Sequence, residues 1–295
     1  MFVIIDRMKQ GRIVIPQSEF DIGLCVLSGQ TFRWEQVGNA WVGMIGRDIV
    51  RLQRFDDEVA YETTGDFEAI HSFFRLDANL ETIRSKILEE DPSLESRMKR
   101  FSGLRVLRWP NAEECLISFA CTSNNNIPRI IGMIKRLCDR YGETIVQLNG
   151  ISFHTFPSAE TILETPEDAL RGIGFGYRAR VIRNIAYELL KRGNKWLESL
   201  KKLPYKEAHA ELITLPGVGP KIADCVCLFG LDHLEAVPID THLWQAVSSW
   251  HLPELKGKSL TDLRYRQVGD YIRSRFGDRA GWAHQYLFYA HLKGE

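Results

Sequence analysis

Leu212-Ile-Thr-Leu-Pro-Gly-Val-Gly-Pro-Lys-Ile-Ala-Asp-Cys-Val-Cys-Leu-Phe229 is the stretch that decides the fold. An apolar run stops at Pro216 and Gly217, a second glycine follows at 219, and apolar residues resume at Ile222. This order predicts helix, tight turn, helix, with the hairpin over 215–219. The two glycines free backbone amides for close approach, and those amides open the second helix, whose positive end suits a phosphate. An ordinary turn between helices uses the same residues, so the hairpin alone leaves both readings open. Lys221 stands in the first turn of the second helix, where the dipole disfavours a cation. Partly desolvated, it is a usable amine nucleophile; fully exposed, it is one more surface lysine. Asp240 follows in Ala236-Val-Pro-Ile-Asp-Thr-His242, placed to cap a helix over 241–250. One carboxylate oxygen can cap while the other faces a cleft, so capping and chemistry are compatible. An amine and a carboxylate across an apolar cleft form a recognisable pair, the first attacking an electrophilic carbon and the second stabilising positive charge there.

Around this centre, residues from about 111 onward read as helices. Asn111 is placed to cap a helix over 113–121, and apolar residues at 127, 130, 131, 134 and 137 give a helical stripe. Further helices are expected over 179–191, 205–213, 222–229, 241–250, 260–276 and 282–292. The first 65 residues are different. Runs at 12–15, 31–34, 40–45 and 48–52 are rich in β-branched and aromatic residues, and Val37-Gly-Asn-Ala40 is a plausible hairpin turn. Between them, 66–100 turns helical and charged. The expected fold is α+β: an N-terminal antiparallel sheet domain with helices over 1–105, then a mainly helical domain over 106–295.

Composition narrows the function classes. Among 295 residues, 44% are apolar and 26% charged, which excludes a disordered or low-complexity chain. No apolar run reaches the roughly 18 residues of a membrane span, and the start, Met1-Phe-Val-Ile-Ile-Asp-Arg7, shows no secretory pattern. Formal net charge is zero, but residues 1–100 carry −4, 101–200 carry +3 and 201–295 carry +1. A polyanion site is therefore expected in the last two thirds. Cysteines 25, 115, 121, 138, 225 and 227 form no CxxC pair, which argues for reduced thiols and against a zinc ribbon or a four-cysteine iron–sulfur loop.

LPGVGPKIADC followed by VPIDTH resembles the helix-hairpin-helix DNA glycosylase superfamily. Within it, the chain is similar to the 8-oxoguanine DNA glycosylase/AP lyase family. Ser28-Gly-Gln-Thr-Phe-Arg-Trp34, Cys121-Thr-Ser-Asn-Asn-Asn-Ile-Pro-Arg129 and Gly174-Phe-Gly-Tyr-Arg-Ala-Arg180 resemble three further segments of that family. Five ordered motifs between about residues 20 and 290 are far more specific than a lone hairpin.

The resemblance implies an enzyme that flips a damaged guanine out of duplex DNA and cuts its glycosidic bond, with no cofactor required. Lys221 would attack C1′ and form a Schiff base that permits β-elimination and strand nicking. Asp240 would stabilise the oxocarbenium-like transition state. The Gly29 carbonyl would accept the N7–H that 8-oxoguanine has and guanine lacks; otherwise Gly29 is a plain turn residue. Cys225, one helical turn after Lys221, would wall the base pocket, its thiolate favoured by the lysine; alternatively it is a small buried residue. Phe229 would be a further wall and Phe288 the opposite one, stacking on the base, although an apolar residue on the last helix is more often core. Asn124 would fill the gap left by the flipped base, with Arg129, Tyr177 and Arg178 around the orphaned cytosine, although Arg178 could be plain surface charge. Gly217, Gly219 and His242 would contact backbone phosphates. The carbonyls of Ile213, Leu215 and Val218 could hold a cation bridging to a phosphate.

Three departures stand out. Ala280-Gly-Trp-Ala-His284 has His284 where the mammalian-type family has a glutamine that reads the base edge. Gln285 is adjacent, but helical geometry points it about 100° away. Phe229 replaces a flexible methionine, and Pro128 an alanine-like residue. These point to a bacterial or archaeal branch, located in the cytoplasm or nucleoid; a eukaryotic source would imply the nucleus. The expected partner is double-stranded DNA containing oxidised guanine, bound by a monomer away from membranes. A glycosylase for another damaged base, a non-catalytic hairpin module and an interaction scaffold are the alternatives.

Overall fold

The computed structural model describes residues 8–148, 151–193 and 195–294. The reading of residues 1–7 as lacking a leader lies outside them. The fold is α+β. Strands β1 (Lys9–Val14), β2 (Trp34–Val37), β3 (Ala40–Ile45), β4 (Asp48–Phe55) and β5 (Glu58–Thr63) form one antiparallel sheet in the order β1-β5-β4-β3-β2. Gly38, at φ +59, closes the expected turn between β2 and β3. β5 is not among the runs singled out above, because Glu58, Tyr61 and Glu62 dilute its apolar alternation. Pairing with both β1 and β4 nevertheless makes it an interior strand.

Alternation gives the sheet two faces. Trp34, Val50, Leu52 and Val59 face the Ile22–Leu27 and Phe67–Phe73 helices and pack with Phe20, Cys25, Ile70 and Phe74. Val42, Met44 and Ile49 face the other way. They are covered by Val146 and Phe153 of a second antiparallel pair, β6 (Thr144–Leu148) and β7 (Ile151–His154). That hairpin interrupts the run of helices expected after 105.

The remaining helices enclose one large core. Asn111 caps the Ala112–Ala120 helix through Oδ1, which accepts from the Glu113 and Glu114 amides. Pro128 lies in the first turn of the Ile127–Tyr141 helix, which Asn126 caps. The Leu80–Glu90 and Glu95–Arg100 helices contribute Leu80, Ile87 and Met98 to the same core as Leu116, Ile182, Ala223 and Tyr286. At the centre runs the Ala280–Leu292 helix, apolar almost all round and buried for nearly its whole length. The six cysteines are free and buried.

Candidate active site

The Tyr205–Ile213 and Pro220–Cys225 helices flank the hairpin. Gly217 has φ +83, and a Cβ there would stand 2.7 Å from Val181 Cγ1, so the turn requires glycine. Gly219 is different: a Cβ would meet nothing within 4 Å. The backbone there faces open space, as an approaching ligand would need. The second helix does not run regularly to 229. From Val226 to Gly230 it widens into an i→i+5 turn, a form often found at functional sites.

Lys221, Cys225 and Phe229 of this segment line a small cavity together with Gly29, Asp240, His284 and Phe288. Residues from three distant parts of the chain thus share one wall. Lys221 Nζ donates to Thr122 Oγ1 at 2.8 Å. Thr122 in turn donates to the Phe119 carbonyl at 2.7 Å, so its hydroxyl offers lone pairs to the amine. The Phe119 ring lies 5.6 Å from Nζ and stacks on Phe229 at 5.4 Å. Asp240 does both things its position permits. Oδ1 accepts from the Leu243 amide at 2.9 Å, capping the Thr241–Trp250 helix, while the residue also lines the cavity.

Gly29 is held from both sides. Ser28 Oγ donates to the Cys25 carbonyl, and Gln30 Nε2 donates to Ser28 Oγ and to the Arg105 carbonyl. Gln30 Oε1 accepts from the Leu107 amide, and the Gln30 carbonyl accepts from Trp109 Nε1. Between these anchors Gly29 has φ +76, and a Cβ would lie 3.1 Å from Ile127 Cδ1 and 3.9 Å from Phe288 Cε1. Among the described residues, no donor is hydrogen-bonded to its carbonyl.

His284 is 4% exposed, and its Nδ1 is buried without a partner among the described residues. Burial lowers it to about 4, against the opposing pull of Asp240 and the Pro238 carbonyl, so the ring is neutral at physiological pH. It stacks on Phe288 with centroids 6.0 Å apart and planes at 14°.

Two expectations need correction. Cys225 does not carry a lysine-stabilised thiolate: burial pushes its thiol up to about 12, outweighing the attraction of Lys221. It is a small, protonated wall residue. Gln285 does not point away from the cavity. It lines it alongside His284, donating through Nε2 to the Ser28 carbonyl at 3.3 Å.

Asn124, Arg129 and Tyr177 are exposed on the surface beside the first turn of the Ile127–Tyr141 helix. Asn124 has φ +47, a conformation that asparagine tolerates better than most residues. Arg178, expected either at the DNA face or as surface charge, is 3% exposed. Its guanidinium donates to the Ser123 and Asn124 carbonyls, and Tyr177 Oη donates to the Ser123 carbonyl at 3.1 Å. Arg178 therefore holds the Asn124 loop through Nε and Nη2. His242 Nδ1 lies 3.3 Å from His291 Nδ1. Sequence reading gives no role to Thr122, Phe119, Pro238 or His291; Thr122 and Pro238 lie inside quoted motifs, while Phe119 and His291 show no local pattern. The Leu215 carbonyl accepts from the Val218 amide at 3.1 Å, closing the hairpin, and Ile213 precedes the turn, 40% exposed. Among the described residues, no group of three or more His, Cys, Asp or Glu is placed to hold a metal, and no helix is long and apolar enough to cross a membrane.

Comparison with known proteins agrees with this geometry. Residues 12–116 match the model of the 8-oxoguanine DNA glycosylase N-terminal domain, and 117–268 that of the HhH-GPD superfamily base excision DNA repair proteins. The N-glycosylase/DNA lyase OGG1 of Arabidopsis thaliana is 37% identical over 95% of this chain and 80% of its own length. The N-glycosylase/DNA lyase of Saccharomyces cerevisiae is 31% identical over 97% and 87%. The 8-oxoguanine glycosylase/lyase of Clostridium acetobutylicum, solved with double-stranded DNA containing cytosine opposite 8-oxoguanine, superposes with a TM-score of 0.84 at 28% identity, covering 93% of this chain and 92% of that one. Hairpin, cavity and both matched domains lead to one assignment: the chain belongs to the 8-oxoguanine DNA glycosylase family, the N-glycosylase/DNA lyases of the HhH-GPD superfamily.

Proposed function

We propose that this protein is a bifunctional base excision repair enzyme that removes 8-oxoguanine opposite cytosine and then nicks the strand. The observation that carries the reading is the convergence of Lys221, Asp240 and Gly29 on one cavity. In this reading the Lys221 amine, in its neutral form, attacks C1′ of the flipped nucleotide. The new N–C1′ bond forms as the bond to the base breaks, and the electron pair leaves with the base. Asp240 faces the sugar and stabilises the positive charge that develops there. Proton loss from the amine and ring opening give the Schiff base; removal of a C2′ proton then expels the 3′ phosphate.

The Gly29 carbonyl, without a protein donor, is the acceptor for N7–H of the oxidised base. Guanine presents a lone pair at N7, and two acceptors would face each other. His284 and Gln285 face the base edge, and Cys225, Phe229 and Phe288 enclose its faces. Asn124 takes the place of the flipped nucleotide, Arg129 and Tyr177 contact the orphaned cytosine, and Arg178 keeps their loop in shape. Gly217, Gly219 and His242 meet backbone phosphates. Three neutral backbone oxygens, of Ile213, Leu215 and Val218, suit a hard cation at the hairpin, supplying positive charge beside a phosphate. The working unit is a monomer on duplex DNA, and the chain divides near residue 105.

Borohydride trapping tests the reading. Wild-type protein on an 8-oxoguanine:cytosine duplex should give a covalent adduct and nicked product. Lys221→Gln should bind the duplex and give neither. An adduct of undiminished yield with Lys221→Gln refutes the nucleophile assignment; wild-type protein that traps only on another lesion refutes the substrate.

A further inference from the structure

Asp224 stands three residues after Lys221 and is fully buried. Its two oxygens are divided between two tyrosines. Tyr205 Oη donates to Oδ1 at 2.6 Å, and Tyr265 Oη donates to Oδ2 at 2.5 Å. Tyr205 is backed by Arg273, whose Nη1 donates to its hydroxyl at 3.1 Å. His209 Nε2 lies 3.7 Å from Oδ2 and 3.2 Å from the carbonyl of Pro220, the residue before Lys221. Burying a carboxylate is costly unless donors such as these satisfy its oxygens. Burial and the Asp224 charge hold the Tyr265 hydroxyl well above its ordinary range, so it remains a donor.

The two tyrosines are not equivalent. Tyr265 Oη also accepts from the Ile239 amide at 3.3 Å. Ile239 is the residue before Asp240. One hydroxyl on the Asp262–Phe276 helix therefore joins the helix that carries Lys221 to the backbone that carries Asp240. Tyr205 grips the same carboxylate but makes no contact of this kind to the 236–240 segment.

We infer that Tyr265 is a positioning residue: through Asp224 on one side and the Ile239 amide on the other, it fixes the spacing of Lys221 and Asp240 across the cavity. It is not among the residues that line the cavity. The inference rests on the roles proposed above for Lys221 and Asp240. A misplacement of about 1 Å between reacting groups is enough to slow a reaction by as much as roughly 100-fold.

The test compares Tyr265→Phe with Tyr205→Phe. Each removes one hydroxyl from Asp224, and only the first cuts the link to Ile239. Single-turnover excision is measured on an 8-oxoguanine:cytosine duplex, strand nicking on a duplex with a preformed abasic site, and duplex affinity alongside. Tyr265→Phe should slow both reactions about 10-fold to 100-fold, with affinity within about twofold of wild type. Tyr205→Phe should stay within about threefold on both. Wild-type rates in Tyr265→Phe, or equal losses in the two variants, overturn the inference. If Tyr265→Phe does not fold, the double variant Tyr265→Phe/Asp224→Asn removes the charge left without its donor. The same slowing is expected there, and wild-type rates overturn the inference. Wild-type protein inert on 8-oxoguanine but active on the abasic duplex removes the proposed lesion, while the ratio on the abasic duplex still decides the role of Tyr265.

Discussion

Replacing His284 with glutamine should make the protein more resistant to acid. The side chain is 4% exposed, and burial lowers it to about 4, whereas a free histidine titrates near 6.5. The sign follows from proton binding. Between these values the unfolded chain takes up a proton that the folded chain refuses, so stability present above pH 6.5 is lost as the pH falls towards 4. Each pH unit is worth about 1.4 kcal/mol, so at pH 5 His284 withdraws roughly 2 kcal/mol of the stability present at pH 7.5. Glutamine does not titrate and withdraws none. Other histidines are shifted as well, among them His209, raised because Asp224 outweighs its burial, and His291, lowered by burial. They are common to both proteins and cancel in the comparison. The assay is urea unfolding of wild type and His284→Gln at pH 7.5 and pH 5. The variant should gain roughly 2 kcal/mol over wild type between the two pH values. A difference under about 0.5 kcal/mol would refute the argument, because it would mean that His284 takes up its proton in the folded state as readily as in the unfolded one.

Three further outcomes follow from the site. Asp240→Asn keeps an acceptor for the Leu243 amide and should unfold near the wild-type temperature while excising the base about 10²–10³-fold more slowly; Asp240→Ala should add a loss of about 1 kcal/mol from the missing cap, read by calorimetry. Gly29→Ala places a side chain at φ +76 against Ile127 and should lower stability by about 1–2 kcal/mol and weaken lesion recognition, measured as the ratio of affinities for 8-oxoguanine and guanine duplexes. An unchanged ratio would mean that the carbonyl at 29 does not read the base. Duplex binding by Lys221→Gln should weaken steadily with added salt, since phosphate contacts release counterions; salt-insensitive binding would point to an interaction scaffold.

Much of this architecture is local and therefore legible in the chain. Pro216, Gly217 and Gly219 specify a turn through their own backbone preferences, and Asn111 and Asp240 cap helices that begin one residue later. Alternation marks β3 and β4 because one of their faces is apolar through several residues. β5 escaped notice because its burial comes from strands on both sides, which its own residues do not announce. The β6–β7 hairpin escaped for a similar reason: it is stabilised by Val42, Met44 and Ile49, a hundred residues away in the chain.

The sequence by itself determined the chemistry available: an amine at the mouth of a hairpin helix, a carboxylate at a cap, and glycines where only glycine tolerates the backbone. Tertiary structure decided the state and use of those groups. Burial made Cys225 a protonated wall and His284 a neutral ring, turned Arg178 inward onto the Asn124 loop, and brought Gln285 to the cavity beside its neighbour. The physical reason is that backbone preference is carried by a residue and its immediate neighbours, whereas desolvation and hydrogen-bond partners are supplied by whatever the fold packs against it.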